Sequence, residues 1–434
     1  MRRKPIKFWQ AVRITAAVLL LMAIIWFWLV PFIQELSKSP ASEYQQQGDE
    51  FRSQGRLPEA VLSYRQALNA DPGSQAARSA LSEAYRAQGR LRMAARYAIE
   101  GQKPALETGD YQPAIWTFAD IDSSPTGAAM VDNALLALYE DGTAVSLRLE
   151  DGALLWTARL PSAATSAPSA DEQLVYAGAE DGKLYALNRQ DGTQRWSFAT
   201  HGPIYAATTS VDGVVYLPSS DGNLYALRAG DGSLLWKFAT RGALHSAVTV
   251  SGGRVVFGSH DARVYALDAA SGAPAWQDGI LTNGAVENQP AVIENRIILG
   301  SGDGRVYALA LDSGGQFWRA STPDAVYAAP VVVGGVVYIA SSGKTLSAID
   351  LESGKKLWQA ELPGSLRNPP VIAGDSLYFS VDADAGLYRV DATSGAVTRL
   401  GSTGDWVAFG PWIAGERLFV AGKDGALLAF PLPR

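Results

Sequence analysis

Tryptophan recurs at a nearly constant interval through most of this chain, and that interval restricts the possible folds more than any other feature. Successive members are 40 residues apart, with one interval of 42: Trp116, Trp156, Trp196, Trp236, Trp276, Trp318 and Trp358. A turn marker repeats with the same period: Asp141-Gly142, Asp181-Gly182, Asp221-Gly222, Asp261-Ala262, Asp303-Gly304, Gly343, Gly386 and Asp424-Gly425. A period of this length predicts one supersecondary unit repeated along the chain.

Each repeat has the pattern of four short antiparallel strands. After the turn marker comes an alternating segment such as Leu184-Tyr185-Ala186-Leu187, followed by a second turn and the tryptophan strand. Another strand pair precedes the marker. A four-stranded sheet of this size cannot bury both its faces, so the repeats must stack around an axis. The predicted fold class is therefore mainly β, with an eight-bladed β-propeller over residues 113–434.

The two ends of the ring are predicted to close on each other. The last turn marker is followed by a single strand segment, 427–430, which leaves the eighth blade one strand short. We expect residues 115–118, which include Trp116, to supply that strand and so to pair both edges. In the seventh repeat Arg399 stands where a tryptophan is expected, and we expect looser packing there. The tryptophans are predicted to be structural, each indole covering the neighbouring blade.

The amino-terminal segment has the pattern of a membrane anchor. Residues 14–33 carry no charge, and a helix of that length spans roughly 30 Å, the thickness of the hydrocarbon core. Basic residues crowd the tail 1–13, whereas only Lys38 follows shortly after the span, which predicts a cytoplasmic tail and a periplasmic or otherwise extracytoplasmic bulk. The prediction is a single-pass transmembrane signal-anchor, and a cleaved signal peptide is the alternative.

Residues 41–108 contain a second, shorter repeat. Its period is 34 residues, as in Phe51/Tyr85, Gly55/Gly89 and Ala60/Ala94. Small residues at Gly48, Ala60 and Ala67 would let two antiparallel helices approach closely. The segment resembles two tetratricopeptide (TPR) repeats, of which the second is degenerate. Because an independent solenoid needs about three repeats, we predict either a spacer or a docking surface.

Composition excludes several classes of function. Residues 113–434 hold 22 basic and 33 acidic residues, so nucleic acid is not expected as a partner. The chain has no cysteine, which excludes a thiol nucleophile, a cysteine-ligated metal and a lipidated amino-terminal cysteine.

The repeat string EDGKLYALNRQDGTQRWSF, residues 180–198, resembles the pyrroloquinoline-quinone (PQQ)-type, or quinoprotein-like, propeller repeat. Two groups of proteins share this repeat. Resemblance to the quinoprotein dehydrogenases would imply adjacent cysteines over a quinone, a calcium ion and a catalytic aspartate. Since the chain lacks cysteine, it resembles the BamB branch of binding propellers more closely, and no cofactor is expected. An anchor followed by tetratricopeptide repeats is similar to the arrangement in YfgM.

Short motifs that suggest chemistry fall at blade turns. Ser342-Gly343-Lys344-Thr345 and Gly300-Ser301-Gly302-Asp303-Gly304 imitate phosphate-binding loops but lead into strands rather than helices. Asp382-Ala383-Asp384 starts like a calcium loop without its closing acidic residue. His201, His245 and His260 occupy different phases of the repeat and show no zinc-ligand spacing. We predict no catalytic residue and no metal site.

Positions that break the repeat are the candidates for binding. When the innermost strands are aligned, large polar or aromatic residues stand where the strands enter the central channel, and three further residues adjoin them: Tyr205, His245, Glu287, Tyr327 and Arg367, with Asn288, Asn368 and Trp406. Packing positions repeat, whereas recognition positions need not. This channel-mouth ring is predicted to bind a partner, and the alternative is that its members fill and hydrate the channel.

These features predict a membrane-anchored, extracytoplasmic scaffold that binds other proteins and is not an enzyme. Envelope or outer-membrane protein assembly or quality control is the expected process, with β-barrel assembly or secretion machinery as partners. The alternatives are a divergent quinone- or sugar-binding oxidoreductase and a propeller that binds a small ligand.

Overall fold

The computed structural model divides the chain into two compact units, Met1–Gly101 and Gln102–Arg434. It describes residues 39–71, 73–88, 105–106, 112–366, 368–381, 386–402, 407–422 and 425–433. The predicted anchor, 14–33, lies outside these residues. None of the helices in the described ranges is long and apolar enough to cross a bilayer.

The first unit contains the helices α1 (Pro40–Ser53), α2 (Leu57–Ala70) and α3 (Gln75–Ala87). Ser39 and Ser74 cap α1 and α3 through their side-chain oxygens. Helices α1 and α2 meet where Tyr64 crosses Gly48, since a Cβ at Gly48 would lie only 2.5 Å from the tyrosine ring. Tyr64 also donates a hydrogen bond to Asp49 at 2.7 Å. Small residues thus allow the two helices to approach closely. The assignment as tetratricopeptide repeats stays a prediction, and residues 89–104 of the second predicted copy lie outside the described residues.

The described part of the second unit forms eight antiparallel sheets. Three short strands precede the blades: β1 (Ala105–Leu106), β2 (Gln112–Pro113) and β3 (Trp116–Phe118). The first blade comprises β4 (Pro125–Val131), β5 (Ala134–Tyr139), β6 (Thr143–Arg148) and β7 (Leu154–Arg159). The second comprises β8 (Ser169–Ala170), β9 (Leu174–Gly178), β10 (Lys183–Asn188) and β11 (Gln194–Ala199). The third comprises β12 (Thr209–Val211), β13 (Val214–Pro218), β14 (Asn223–Arg228) and β15 (Leu234–Ala239).

The later blades follow the same order. The fourth comprises β16 (Thr249–Ser251), β17 (Arg254–Gly258), β18 (Arg263–Asp268) and β19 (Ile280–Leu281). The fifth comprises β20 (Ala291–Ile293), β21 (Arg296–Ser301), β22 (Arg305–Ala310) and β23 (Gln316–Ser321). The sixth comprises β24 (Val331–Val333), β25 (Val336–Ser341), β26 (Thr345–Asp350) and β27 (Lys356–Glu361). The seventh comprises β28 (Val371–Ala373), β29 (Ser376–Val381), β30 (Gly386–Asp391) and β31 (Val397–Ser402), and the eighth comprises β32 (Val407–Ala414), β33 (Arg417–Gly422), β34 (Leu427–Pro431) and β3.

The eight sheets confirm the predicted mainly β, eight-bladed propeller. Neighbouring blades share apolar clusters, such as Leu136 and Leu138 of the first blade with Tyr185 and Leu187 of the second. The ring closes because β3 supplies the outer strand of the eighth blade, with Trp116 opposite Ala429. In the seventh blade the outer strand β31 is extended by β1 and β2, so that this sheet has six strands.

Each indole reaches the next blade along the chain. The Nε1 atom donates to a backbone carbonyl 33 or 34 residues later, at 2.8–3.1 Å, for Trp116, Trp156, Trp196, Trp236, Trp318 and Trp358. The ring lies against a glycine of that blade, as Trp236 does against Gly272. Trp276 differs, because its buried Nε1 has no hydrogen-bond partner among the described residues. These contacts give the tryptophans a packing role between blades.

The turn markers are held by their aspartates. In the third blade Asp221 accepts hydrogen bonds from the Asn223 N–H at 2.9 Å and from the Tyr225 hydroxyl at 2.7 Å. Burial raises the pKa of Asp221, but these bonds and one from the His201 N–H outweigh it and lower the pKa below its usual value. In the second blade, burial and the hydrogen bond to Asp181 raise the pKa of Tyr185 to about 12.

Candidate functional site

Strand alternation brings two sets of loops to one end of the propeller. Within each blade the chain runs antiparallel, so the loop that enters the inner strand and the turn between the second and third strands lie at the same end. Backbone hydrogen bonds join them, as from the His260 N–H to the Ala243 carbonyl at 3.0 Å. This end carries the predicted channel mouth.

A cavity of about 490 Å³ opens at this end, and all eight blades contribute to its lining. We call it the mouth cavity. Its lining residues are Thr126, Gly127, Ala128, Thr165, Ala167, Tyr205, Ala206, Ala207, His245, Ala247, Glu287, Tyr327, Ala329, Asn368, Pro369, Val371, Gly410, Pro411 and Trp412. Residues from every repeat therefore converge on one space, as they must around the axis of a propeller.

Five of the residues predicted for the channel mouth line this cavity: Tyr205, His245, Glu287, Tyr327 and Asn368. Arg367 and Trp406 lie outside the described residues. The structure thus brings together residues up to 163 positions apart in the chain.

Asn288 does not belong to the cavity, and its assignment to the mouth was wrong. Its side chain is only 2% exposed. Its amide donates to the carbonyls of Gly300 at 2.8 Å and Val326 at 3.1 Å and accepts from the Gly300 N–H at 3.1 Å. Asn288 therefore ties the fifth blade to the loop that enters the sixth, which is a structural role.

Aromatic and titratable side chains form a continuous arc across the third, fourth and fifth blades. The Tyr205 and His245 rings are 5.2 Å apart, and the His245 and His260 rings are 4.3 Å apart, both edge to face. His260 Nε2 then lies 3.4 Å from Glu287 Oε1. His245 Nε2 shares a hydrogen bond with the Ser220 hydroxyl at 2.9 Å.

The electrostatics of this arc favour a neutral His245. Desolvation by burial lowers the pKa of His245, and the neighbouring His260 lowers it further, while Glu287 opposes both. At neutral pH His245 is therefore uncharged.

His260 was missed by the alignment of inner strands because it comes from the other loop set. It stands one residue before the turn marker, where other repeats have Glu140, Glu180 and Ser220. Aligning the repeats on the turn marker as well would have found it, because this position also departs from the repeat. The other histidine, His201, has a 91% exposed side chain outside the cavity lining.

Two tyrosines at the mouth present unusual amounts of aromatic surface. Tyr205 is 47% exposed and Tyr327 is 43% exposed, whereas the blade tyrosines such as Tyr225 are almost fully buried. Between them and deeper in the channel, the wall is built from small residues, namely Ala167, Ala207, Ala247 and Ala329. The cavity lining thus combines large, partly exposed side chains with small ones.

The residues of the mouth can be compared with those that the quinoprotein resemblance would imply. Within the described ranges, no group of three or more His, Asp or Glu side chains is placed to hold a metal ion. The resemblance to quinoprotein dehydrogenases would imply adjacent cysteines, and the chain has none. The residues present therefore do not fit a quinone with its calcium ion.

Comparison with protein families identifies one that covers most of the chain. The family model described as outer membrane protein assembly factor BamB matches residues 66–212 and 200–400. No curated protein matches the chain at a significant level.

Solved structures share the fold at low sequence identity. BamB from Moraxella catarrhalis superposes with a TM-score of 0.64 and 19% identity, covering 74% of this chain and 97% of that one. The computationally designed Ika8 protein gives 0.65 and 18%, covering 73% and 99%. Sqt1 of Saccharomyces cerevisiae gives 0.65 and 11%, covering 74% and 99%. At these identities the similarity shows the propeller fold alone.

Proposed function

The chain belongs to the family described as outer membrane protein assembly factor BamB. From that premise we propose that it is a membrane-anchored, extracytoplasmic scaffold, which binds other proteins during outer-membrane protein assembly. The family match over residues 66–400 is the observation that carries this proposal. Its partners would be components of β-barrel assembly or secretion machinery.

The mouth cavity supports a role in binding. A recognition surface needs exposed side chains that packing does not dictate. Tyr205 and Tyr327 are large and exposed, and the same position of the repeat holds different residues, such as His245, in other blades. Tyrosine offers a rigid apolar ring with a polar tip, which is why it is frequent at protein interfaces. The proposal therefore places the partner at this end of the propeller.

The anchor and the helical unit extend the proposal beyond the family. Residues 14–33 are uncharged and long enough to span a bilayer, and the basic residues of the tail 1–13 favour a cytoplasmic amino terminus. Helices α1 to α3 would then lie on the periplasmic side, as a spacer or as a second docking surface. In this account no catalytic step and no cofactor are required.

Substitution at the mouth tests the proposed binding. Replacing Tyr205 and Tyr327 with Ala should leave the thermal unfolding temperature unchanged, because both side chains are exposed. Partner capture from native membranes should fall about tenfold, the effect of losing an interface aromatic worth more than about 1 kcal/mol. The matched control is Phe317→Ala, an equally exposed aromatic on the outer strand β23. Unaltered capture by the tyrosine variant would place the partner elsewhere.

A small-ligand-binding propeller is the second candidate, and the cavity volume favours it. Ligand pockets commonly measure about 300–1,000 Å³, and the mouth cavity lies in that range. Purified protein should then carry or acquire a small molecule that protects the propeller against heat. A redox absorbance after addition of a quinone and calcium would extend this candidate to an oxidoreductase, and its absence would eliminate the enzyme.

A further inference from the structure

We propose that the mouth cavity binds the cationic side chain, lysine or arginine, of a protein segment, with the Glu287 carboxylate as its counter-ion and the Tyr205 and Tyr327 rings as its walls. The inference rests on the proposed function, because it assigns a chemistry to the partner that the scaffold would hold.

Glu287 supplies the charge at the right place. Its side chain lines the cavity and keeps 34% of its surface exposed, so an incoming group can reach it. Its described neighbour is His260, at 3.4 Å. A carboxylate can accept about four hydrogen bonds, which leaves capacity for an ammonium or for a bidentate guanidinium.

The two exposed tyrosines supply the walls. Both rings line the same cavity as Glu287, Tyr205 from the third blade and Tyr327 from the sixth, on either side of the fifth blade's carboxylate. The quadrupole of a tyrosine ring attracts a cation held over its face, and the attraction strengthens as water is excluded. Aromatic walls beside a carboxylate therefore select a cation over a neutral polar group and reject an anion.

Charge around the opening has the same sign. Two turns on the first and second blades carry exposed carboxylates, Glu140 with Asp141 and Glu180 with Asp181. Arg159 pairs with Asp141 at 2.6 Å, and Lys183 lies 3.9 Å from Asp181, while Glu140 and Glu180 are exposed. Basic residues also occur at this end, since Arg241 and Lys344 are exposed. The 22 basic and 33 acidic residues of positions 113–434 nonetheless make the propeller attractive to cations overall.

The shape of the mouth favours a side chain attached to a backbone. Large side chains line the cavity from the third to the sixth blades, whereas the second and first blades contribute Thr165 and Gly127. The first two blades therefore contribute smaller side chains to the lining, which leaves room for an extended segment while one long side chain enters the cavity. A free polyamine would need no such asymmetry.

A peptide titration with the full chain tests the proposal. The probe is a short, blocked glycine–serine peptide with one central arginine, and the reference is the same peptide with citrulline, which is neutral and nearly isosteric. We expect the arginine peptide to bind at least about tenfold more tightly, and Glu287→Gln to remove that preference. The matched control is Glu172→Gln, an exposed carboxylate in the turn between β8 and β9 at the opposite end, which should retain it.

Each result has a defined meaning. Equal affinity for both peptides, or an arginine preference that survives Glu287→Gln, would overturn the proposal. Spermidine that binds as tightly as the arginine peptide and depends equally on Glu287 would overturn the assignment to a protein segment. Co-purification of partners with the wild-type chain is measured separately. A failed peptide titration with intact co-purification refutes this inference alone, and the converse refutes the proposed function.

Discussion

At the channel mouth, neighbouring residues of the same loop face in opposite directions. In four blades the buried position is Ser166, Ser246, Asn288 and Ala328, all at most 2% exposed and outside the cavity lining. The residues on either side of that position line the cavity in most blades, as His245 and Ala247 do. Extended backbone alternates its side chains, so a shift of one residue moves a side chain from the channel into the protein. This alternation explains why the Glu287 side chain lines the cavity whereas the Asn288 side chain is buried.

Asn288 and Asn368 stand at equivalent positions of their loops, but only Asn288 is buried, so this pair tests whether burial decides the role of the side chain. Asn288→Ala should lower the free energy of unfolding by about 1–3 kcal/mol, because it leaves the buried carbonyls of Gly300 and Val326 without their donor. Asn368→Ala, at the partly exposed mouth, should change it by less than about 0.5 kcal/mol. Chemical denaturation of the two variants measures the difference. Equal losses would mean that both asparagines are structural.

The blade tryptophans carry a larger share of stability. Trp236→Ala should cost about 3–5 kcal/mol, because it removes a ring packed on Gly272 and a hydrogen bond to the Ala269 carbonyl at 3.1 Å. Trp236→Phe keeps part of the ring contact and should cost less. Urea denaturation followed by circular dichroism gives both values. A loss below about 1 kcal/mol for the alanine variant would contradict the packing role.

The lowered pKa of His245 predicts a pH dependence of stability. Its ordinary value is 6.5, and burial beside His260 lowers it in the folded protein. The unfolded chain then binds the proton more readily, so the contribution of His245 is complete above pH 6.5 and is lost as pH falls through the lowered pKa. His245→Gln should flatten the fall in unfolding free energy between about pH 7.5 and about pH 5. An identical profile in the variant would remove His245 as the cause.

At the scale of single elements, the repeated turn shows where sequence patterns suffice. The Asp-Gly marker needs a left-handed residue after the aspartate, and Gly182 and Gly222 adopt φ of 77° and 83° there. The pattern therefore predicts the turn, its aspartate and the strand after it correctly in every described repeat with this marker. The repeat pattern does not predict the outer strand of the fourth blade correctly, because two extra residues precede the next repeat there. Asp278 and Gly279 take positive φ, and only Ile280–Leu281 remains as strand.

The fourth blade also carries an alanine at the left-handed position of the turn. Ala262 has φ of 64°, a conformation that costs a residue with a side chain about 1–2 kcal/mol relative to glycine. Ala262→Gly should therefore stabilise the protein by about 1 kcal/mol. The reciprocal variant, Gly222→Ala, should destabilise it, since its Cβ would also lie 3.2 Å from the Gly242 carbonyl oxygen. Thermal unfolding compares the pair, and a destabilising Ala262→Gly would refute the explanation.

At the scale of the whole molecule, the periodicity of the sequence predicted the propeller because the same packing contacts recur from blade to blade. The tryptophan interval and the turn markers give eight blades, and β3 pairs with β34 at the register Trp116 to Ala429. The addition of β1 and β2 to the seventh blade was not predicted, because two residues per strand leave no periodic pattern. The mouth was predicted in part. His260 comes from a different loop set than His245, and the fold brings the two rings within 4.3 Å of each other.

The central claim is that this chain is an anchored scaffold for protein partners, and crosslinking with co-purification from native membranes tests it most directly. The full chain is compared with a chain that lacks residues 41–108. We predict recovery of β-barrel assembly or secretion components with the full chain, and a dependence on 41–108 would assign part of the docking to the helical unit. A folded, membrane-bound protein that captures no partner would contradict the account.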